Sequence, residues 1–326
     1  MSAPILEIEG LRTQFATRRG TAHSVNGITL SLHRGEILGL VGESGSGKSV
    51  TGLSVLGLIE PPGRIVGGQV RLEGVDLVTA SELVLRSIRG GRIAMIFQDP
   101  MMTLNPVLSI ETQMVEAIRA HAAVSRADAI EWAAAALGRV GIPSPHERLK
   151  AYPHQFSGGM RQRVVTAIAL LHDPAVVIAD EPTTALDVTI QAQILALVQT
   201  LVRESQTAMI WISHDLSVVS GLCDRVAVMY GGRIVELGPT EEVLTRPSHP
   251  YTRGLIDSIP GDAVPAERLR QIPGLPPSPF AMPDGCAFAP RCTRRTAKCD
   301  ADMPALAAVG TNRAARCVHP LWATPE

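Results

Sequence analysis

The run Gly42-Glu43-Ser44-Gly45-Ser46-Gly47-Lys48-Ser49 has the residue types of a phosphate cradle. Glycines let backbone N–H groups turn inward onto phosphate oxygens. A helix opening at the end of the run aims its positive pole at the same point. In such a P-loop Lys48 reaches the β- and γ-phosphates, and the Ser49 hydroxyl goes to Mg²⁺. An apolar strand pattern precedes the run and a helical pattern follows it, as the motif requires. The expected nucleotide contacts are Gly42, Ser44, Gly45, Ser46, Gly47, Lys48, Ser49 and Val50.

A second constellation is Val176-Val177-Ile178-Ala179-Asp180-Glu181. Four apolar residues read as a buried strand, and two carboxylates emerge at its carboxyl end, where α/β sheets bind ligands. Asp180 is expected to hold Mg²⁺ through water. Glu181 is placed to orient or polarise an attacking water; a plainer role, capping the next helix, fits the same position. Cradle and paired acids together imply nucleoside triphosphate hydrolysis, without saying by which kind of enzyme.

The segment from Phe156 to Arg163, reading FSGGMRQR, discriminates. It resembles the signature of the ABC ATPases, written LSGGQ, and departs from it at Phe156 and Met160. Ser157 offers a hydroxyl, and Gly158 and Gly159 open a helix N-terminus, a second anion site. Alone, Ser-Gly-Gly is also an ordinary helix cap. The resemblance implies that Ser157, Gly158 and Gly159 bind the γ-phosphate of an ATP held by the opposite subunit. Gln98 matches the Q-loop glutamine and joins Ser49 and Asp180 as a Mg²⁺ ligand. Ala185-Leu186-Asp187 matches the D-loop, and His214 the switch histidine that touches the γ-phosphate. The catalytic set so implied is Glu181, His214, Gln98 and Lys48. Phe15, the aromatic upstream of the P-loop, is expected to stack on adenine, with a small core contact as its plain alternative.

The resemblance covers residues 4–238. Within the family the chain looks like the ATPase subunits of dipeptide, oligopeptide and nickel importers. The stretches Gly42–Val50 (GESGSGKSV), Ile96–Asn105 (IFQDPMMTLN) and Glu181–Gln193 (EPTTALDVTIQAQ) carry this likeness, followed by His249-Pro250-Tyr251-Thr252. It implies a peripheral protein on the cytoplasmic face of the inner membrane. Its partners would be a second, related ATPase, two transmembrane permeases and, indirectly, an extracytoplasmic solute-binding protein. The same motor serving nickel or another solute is an alternative. So are a non-transport ABC ATPase, which would normally carry tandem cassettes or a long coiled coil, and a redox sensor centred on the tail.

Four of the five cysteines lie near the end, spaced Cys286-x5-Cys292-x6-Cys299 and then Cys317. Structural zinc sites use tighter Cys-x2–4-Cys knuckles. Four thiolates on an irregular loop suit a [4Fe–4S] cluster, which needs four cysteine ligands and no regular frame. The family resemblance supports that reading. Zn²⁺ and free thiols remain alternatives. Cys223 sits among apolar neighbours and reads as a core residue.

The elements that must position these groups follow from periodicity. Short apolar runs at Glu36–Val41, Arg92–Phe97, Ala175–Asp180, Ala208–Ile212 and Arg225–Tyr230 read as buried strands. Helical patterns alternate with them, at Gly47–Leu56, Met160–Leu171 and Val188–Ser205. This is an α/β fold on a largely parallel sheet, and the resemblance implies that it is the ABC-type P-loop architecture. Early short strands suggest a small antiparallel sheet beside it. Residues 99–163 break the rhythm and read as a helical insert. Fourteen of the 24 prolines fall after Gly238, which divides a nucleotide-binding domain (1–238) from a small irregular C-terminal domain (239–326).

Composition limits the rest. With 30 basic and 31 acidic residues and a formal net charge of −1, no basic excess points to nucleic acid. No run approaches the roughly 18 consecutive apolar residues that span a bilayer. The N-terminus lacks the basic and apolar regions of a secretory signal.

Overall fold

A computed structural model describes residues 3–184, 187–259 and 271–323. The chain divides into two compact units. One comprises Met1–Ile5, Leu32–Glu36 and Thr79–Ile210; the other comprises Leu6–Ser31, Ile37–Val78 and Trp211–Glu326. The phosphate cradle and the proline-rich tail thus belong to the same unit.

In that unit, the strand Ile37–Val41 is buried at all five residues, as an apolar run without alternation should be when both faces are covered. It pairs in parallel with Arg225–Tyr230, Leu38 beside Arg225 and Val41 beside Val228. The chain then reverses through Gly231 and Gly232, both at positive φ, into the antiparallel strand Arg233–Pro239. The early strands are longer than the sequence suggested. Leu6–Thr17 runs against Gly63–Leu72, from Leu6 opposite Leu72 to Phe15 opposite Gly63.

The tail is more regular than its prolines imply. It contains the helices Thr240–Thr245, Pro250–Asp257 and Ala297–Ala301. The strand Arg313–Ala315 pairs with Arg233–Pro239, and Ala307–Gly310 pairs with it in turn. Pro250 sits in the first turn of its helix, where the missing N–H is not needed. A buried ion pair fastens the tail. Glu236 accepts from Arg313 Nη2 at 3.2 Å and from the backbone N–H groups of Ser248 and His249 at 2.7 and 2.9 Å. Both side chains are fully buried, and Arg313 lies 4.6 Å over the Trp322 ring. The Glu236 oxygens are thus filled, whereas Arg313 Nε and Nη1 are buried without a hydrogen-bond partner among the described residues, Nη1 having only the Glu242 carboxylate at 3.7 Å.

In the other unit, Ile93–Ile96 and Val176–Asp180 are parallel neighbours, in register from Ile93 beside Val176 to Ile96 beside Ala179. Their carboxyl ends emerge on the same side, followed by Gln98 and Glu181. Between them lie the helices Pro100–Thr103, Ile110–Arg119, Arg126–Arg139, Pro145–Leu149 and Gly158–Ala169. Ile110, Met114, Val115 and Ile118 make the buried face of the second. Ser109 caps that helix by accepting from Thr112 N–H. No helix among the described residues is long and apolar enough to cross a membrane.

Candidate nucleotide-binding site

The cradle leaves its buried strand at Val41 with Gly42, Gly45 and Gly47 at φ values of 150°, 77° and 102°. Two of these glycines are required by packing as well. A Cβ on Gly42 would stand 2.2 Å from the Met229 carbonyl oxygen, and one on Gly47 2.3 Å from that of Ser24. The helix Lys48–Val55 starts directly behind Gly47 with no side chain capping it, the arrangement that leaves a helix N-terminus to a bound anion. Lys48 is buried, and its ammonium donates to the carbonyls of Gly42 at 2.8 Å and Glu43 at 3.1 Å. The buried Ser46 hydroxyl has no hydrogen-bond partner among the described residues. Ser44 and Gly45 form an exposed rim, and Ser49 and Val50 are half-buried in the first helical turn.

His214 follows the strand Ala208–Ser213 and is exposed. Asp215 caps the next helix, Leu216–Leu222, accepting from Ser217 N–H at 2.8 Å. A cleft of about 530 Å³ is lined by Gly42, Glu43 and His214 together with Leu255 and Ile259 of the tail. The structure therefore brings the cradle and the switch histidine to one opening. Phe15 is half-buried on its strand with its ring against Gly63, where a Cβ would lie 2.5 Å from Phe15 Cε1.

In the unit that contains Thr79–Ile210, Asp180 is buried at the end of its strand. Glu181 then turns at φ 47°, a left-handed conformation that costs a residue with a side chain of order 1–3 kcal/mol and clusters at functional sites. Glu181 Oε2 accepts from Gln98 Nε2 at 3.2 Å and from Thr184 Oγ1 at 3.0 Å. Two residues drawn from separate motifs thus share a hydrogen bond. Thr184 escaped the sequence reading, although its spacing of three from Glu181 is the usual reach of such a turn. The helix Val188–Ser205 is capped by Asp187, which accepts from Ile190 N–H at 2.9 Å. Ala185 and Leu186 of the expected D-loop lie outside the described residues.

Ser157 caps the helix Gly158–Ala169 through Met160 N–H at 3.3 Å. Ser157 and Gly158 are exposed. A Cβ on Gly159 would lie 2.6 Å from Ile190 Cγ2, so this glycine lets two helices close together. The departure at Phe156 has a structural sense, because its ring is buried in the core.

Cys286, Cys292, Cys299 and Cys317 line one small cavity of about 20 Å³, with His249 and Phe288 beside them. Among the described residues none of the four is in a disulfide. Burial raises Cys286 and Cys292 above the usual thiol range and pushes Cys317 up to about 11, with the neighbouring thiols adding to each. Among the described residues, no three His, Cys, Asp or Glu side chains converge closely enough to hold a single metal ion. Cys223 is a separate, buried residue.

Comparison with known proteins agrees with this geometry. The ABC transporter family matches residues 25–184, and the oligopeptide/dipeptide transporter C-terminal region matches residues 235–299. A peptide import ATP-binding protein of Brucella abortus is 50% identical over 97% of this chain and 97% of its own. A dipeptide transport ATP-binding protein of Bacillus subtilis is 47% identical over 92% of this chain and 90% of its own. Among solved structures, a bacterial ABC transporter cassette seen as a dimer matches with a TM-score of 0.65 at 23% identity, over 72% of this chain and 98% of that one. The cbiO1 subunit of an ABC transporter complex from Clostridium perfringens matches with a TM-score of 0.63 at 28% identity, over 75% and 92%. The chain belongs to the ABC transporter family, as one of its ATP-hydrolysing subunits.

Proposed function

We propose that this subunit powers the import of dipeptides or oligopeptides. It pairs with a second, related ATPase beneath two membrane permeases, on the cytoplasmic face of the inner membrane, and an extracytoplasmic binding protein delivers the cargo. The peptide-import names of relatives aligned over nearly the whole chain support the cargo class. The working division is a nucleotide-binding domain at 1–238, with its helical insert at 99–163, and a tail at 239–326.

The chemistry rests on one observation. Glu181 stands at the end of a buried strand, held by Gln98 and Thr184, directly after buried Asp180. ATP places its β- and γ-phosphates on the cradle and on Lys48, and adenine lies on Phe15. By the family resemblance, Ser49, Gln98 and Asp180 would supply the hard oxygen donors that Mg²⁺ takes, and the ion would offset phosphate charge during hydrolysis. Glu181 orients the attacking water and takes up its proton, and His214 steadies the γ-phosphate. The Ser157-Gly158-Gly159 cap and Asp187 face the nucleotide of the opposite subunit, so that ATP ties two chains together and hydrolysis releases them.

Glu181→Gln keeps the shape and removes the base. On the assembled transporter, phosphate release should fall by roughly 10² to 10⁴-fold while ATP still binds. Turnover near the wild-type rate would remove Glu181 from this role.

For the four thiols we infer a [4Fe–4S] cluster over zinc, on their spacing and on the chemistry of the two sites. A zinc ion needs every sulfur within about 2.3 Å of one point, whereas a cluster asks each thiolate for a different iron. Cys286, Cys292, Cys299 and Cys317 would hold it, and its role would be structural or regulatory. Protein prepared without oxygen should be brown, with about four irons per chain. Cys292→Ser should lose the colour, and Cys223→Ser should keep it. A colourless preparation holding one zinc per chain would overturn the assignment.

A further inference from the structure

Glu43 occupies the second position of the phosphate cradle, yet the tail holds its side chain. Arg291 meets it with two parallel bonds: Nη1 donates to Oε2 at 2.7 Å and Nη2 to Oε1 at 3.0 Å. The Arg291 side chain is 4% exposed and that of Glu43 26%, so water competes little for the arginine. The guanidinium is committed on its other sides as well. Nε donates to the Pro273 carbonyl at 2.8 Å, Nη1 to Tyr230 Oη at 3.2 Å, and Nη2 to the Ile272 carbonyl at 3.3 Å. A planar fork so occupied has one orientation available. The main chain of Glu43 is engaged too: its N–H donates to Tyr251 Oη at 2.8 Å, and its carbonyl accepts from Lys48. Tail, cradle and phosphate-binding lysine meet at this residue.

Arg291 is in turn part of the frame around the thiols. It ends the short 3-10 turn Ala289–Arg291, which lies between Cys286 and Cys292. Ala289 N–H donates to the Cys286 carbonyl at 2.9 Å, and Cys292 N–H to the Ala289 carbonyl at 3.2 Å. Cys286 N–H donates to the Cys299 carbonyl at 2.7 Å. Phe288, next to the same turn, packs on Tyr230 and Tyr251 with ring centroids at 5.3 and 5.4 Å. Arg291 precedes Cys292 directly, so a shift in how the thiols are held carries the arginine with it.

We propose that Arg291 is a positioning residue for ATP binding, which fixes Glu43 and thereby makes the affinity of the cradle depend on the arrangement of the four tail thiols. A salt bridge that served only to glue the tail down would lower stability and leave ATP binding alone. The coupling needs only that the thiols keep their packing, whichever group they hold.

The test is steady-state ATPase activity of the assembled transporter against ATP concentration. Arg291→Met should raise the KM for ATP about tenfold, the lower end of what a lost charge-assisted hydrogen bond costs. Its kcat at saturating ATP should stay within about twofold, as expected when only ground-state binding is lost. Glu43→Gln should raise KM as well, and the double variant should be no worse than Arg291→Met alone, because the two share one interaction. Cys292→Ser should raise KM in the native background and add nothing to Arg291→Met. An unchanged KM in folded Arg291→Met, or effects that multiply in the double variant, would overturn the proposal. Should Arg291→Met not fold, Glu43→Gln decides the matter by the same KM criterion, since it leaves the other bonds of the arginine intact. These expectations hold in metal-free protein too, so failure of the cluster assignment and failure of this coupling are told apart.

Discussion

The phosphate cradle and the thiol-lined tail are both rich in special residues, and they belong to one unit. They are made differently. The cradle is a backbone object: eight consecutive residues whose shape comes from glycines pressed against the carbonyls of Met229 and Ser24. The tail is a side-chain object. Beyond the backbone pairing of Arg313–Ala315 with Arg233–Pro239, its position is set by Arg313 on Glu236 and Arg291 on Glu43. A backbone-made site needs a few residue types in fixed local order. A side-chain-made site needs partners that the chain can supply from any distance.

Gly47→Ala breaks the first half of that comparison and should have the larger effect. The new Cβ would stand 2.3 Å from the Ser24 carbonyl oxygen, at a φ of 102° that alanine rarely adopts. Backbone strain of about 1–3 kcal/mol adds to overpacking of about 1–3 kcal/mol. Where that cost falls on the ATP-binding geometry, ATP affinity should fall by roughly one and a half to four orders of magnitude, read by nucleotide titration on protein whose circular dichroism is native. Wild-type affinity in this variant would mean that side chains, and not glycine backbone, shape the cradle.

The same contrast explains what could be read from the sequence. The strands Ile37–Val41, Val176–Asp180 and Arg225–Tyr230 were legible because a strand buried on both faces is a continuous apolar run. The cradle, the acid pair and the Ser-Gly-Gly cap were legible because each is contiguous. The Gln98–Glu181 bond was not legible, because it depends on two strands pairing in parallel across 83 residues. The regularity of the tail was hidden by its prolines, which sit at helix starts and between elements. Proline density therefore pointed to irregular chain where the strand Arg313–Ala315 in fact extends a sheet. Arg291 and Tyr251 were invisible as neighbours of the cradle. They lie 248 and 208 residues from Glu43, and nothing in local spacing marks such a pairing.

Tyr251→Phe probes the second half of the comparison and should have the smaller effect. It deletes the hydroxyl that accepts from Glu43 N–H at 2.8 Å and leaves the ring between Tyr230 and Phe288, at 4.5 and 5.4 Å. Glu43 is half-buried and Tyr251 fully buried. The loss is that of an ordinary hydrogen bond, about 0.5–1.5 kcal/mol, and the KM for ATP should rise by roughly two- to tenfold. Burial pushes the Tyr251 phenol well above its usual range. The hydroxyl stays neutral, and the ratio of the two KM values should be flat between about pH 6 and 9. A ratio that changed across that range would assign the effect to a titrating group other than this phenol. A weakening as large as that of Gly47→Ala would mean that a single contact from the tail shapes the cradle as strongly as its own glycines, and the division between backbone-made and side-chain-made sites would fail here. No change at all would confine the hold of the tail on the cradle to Arg291.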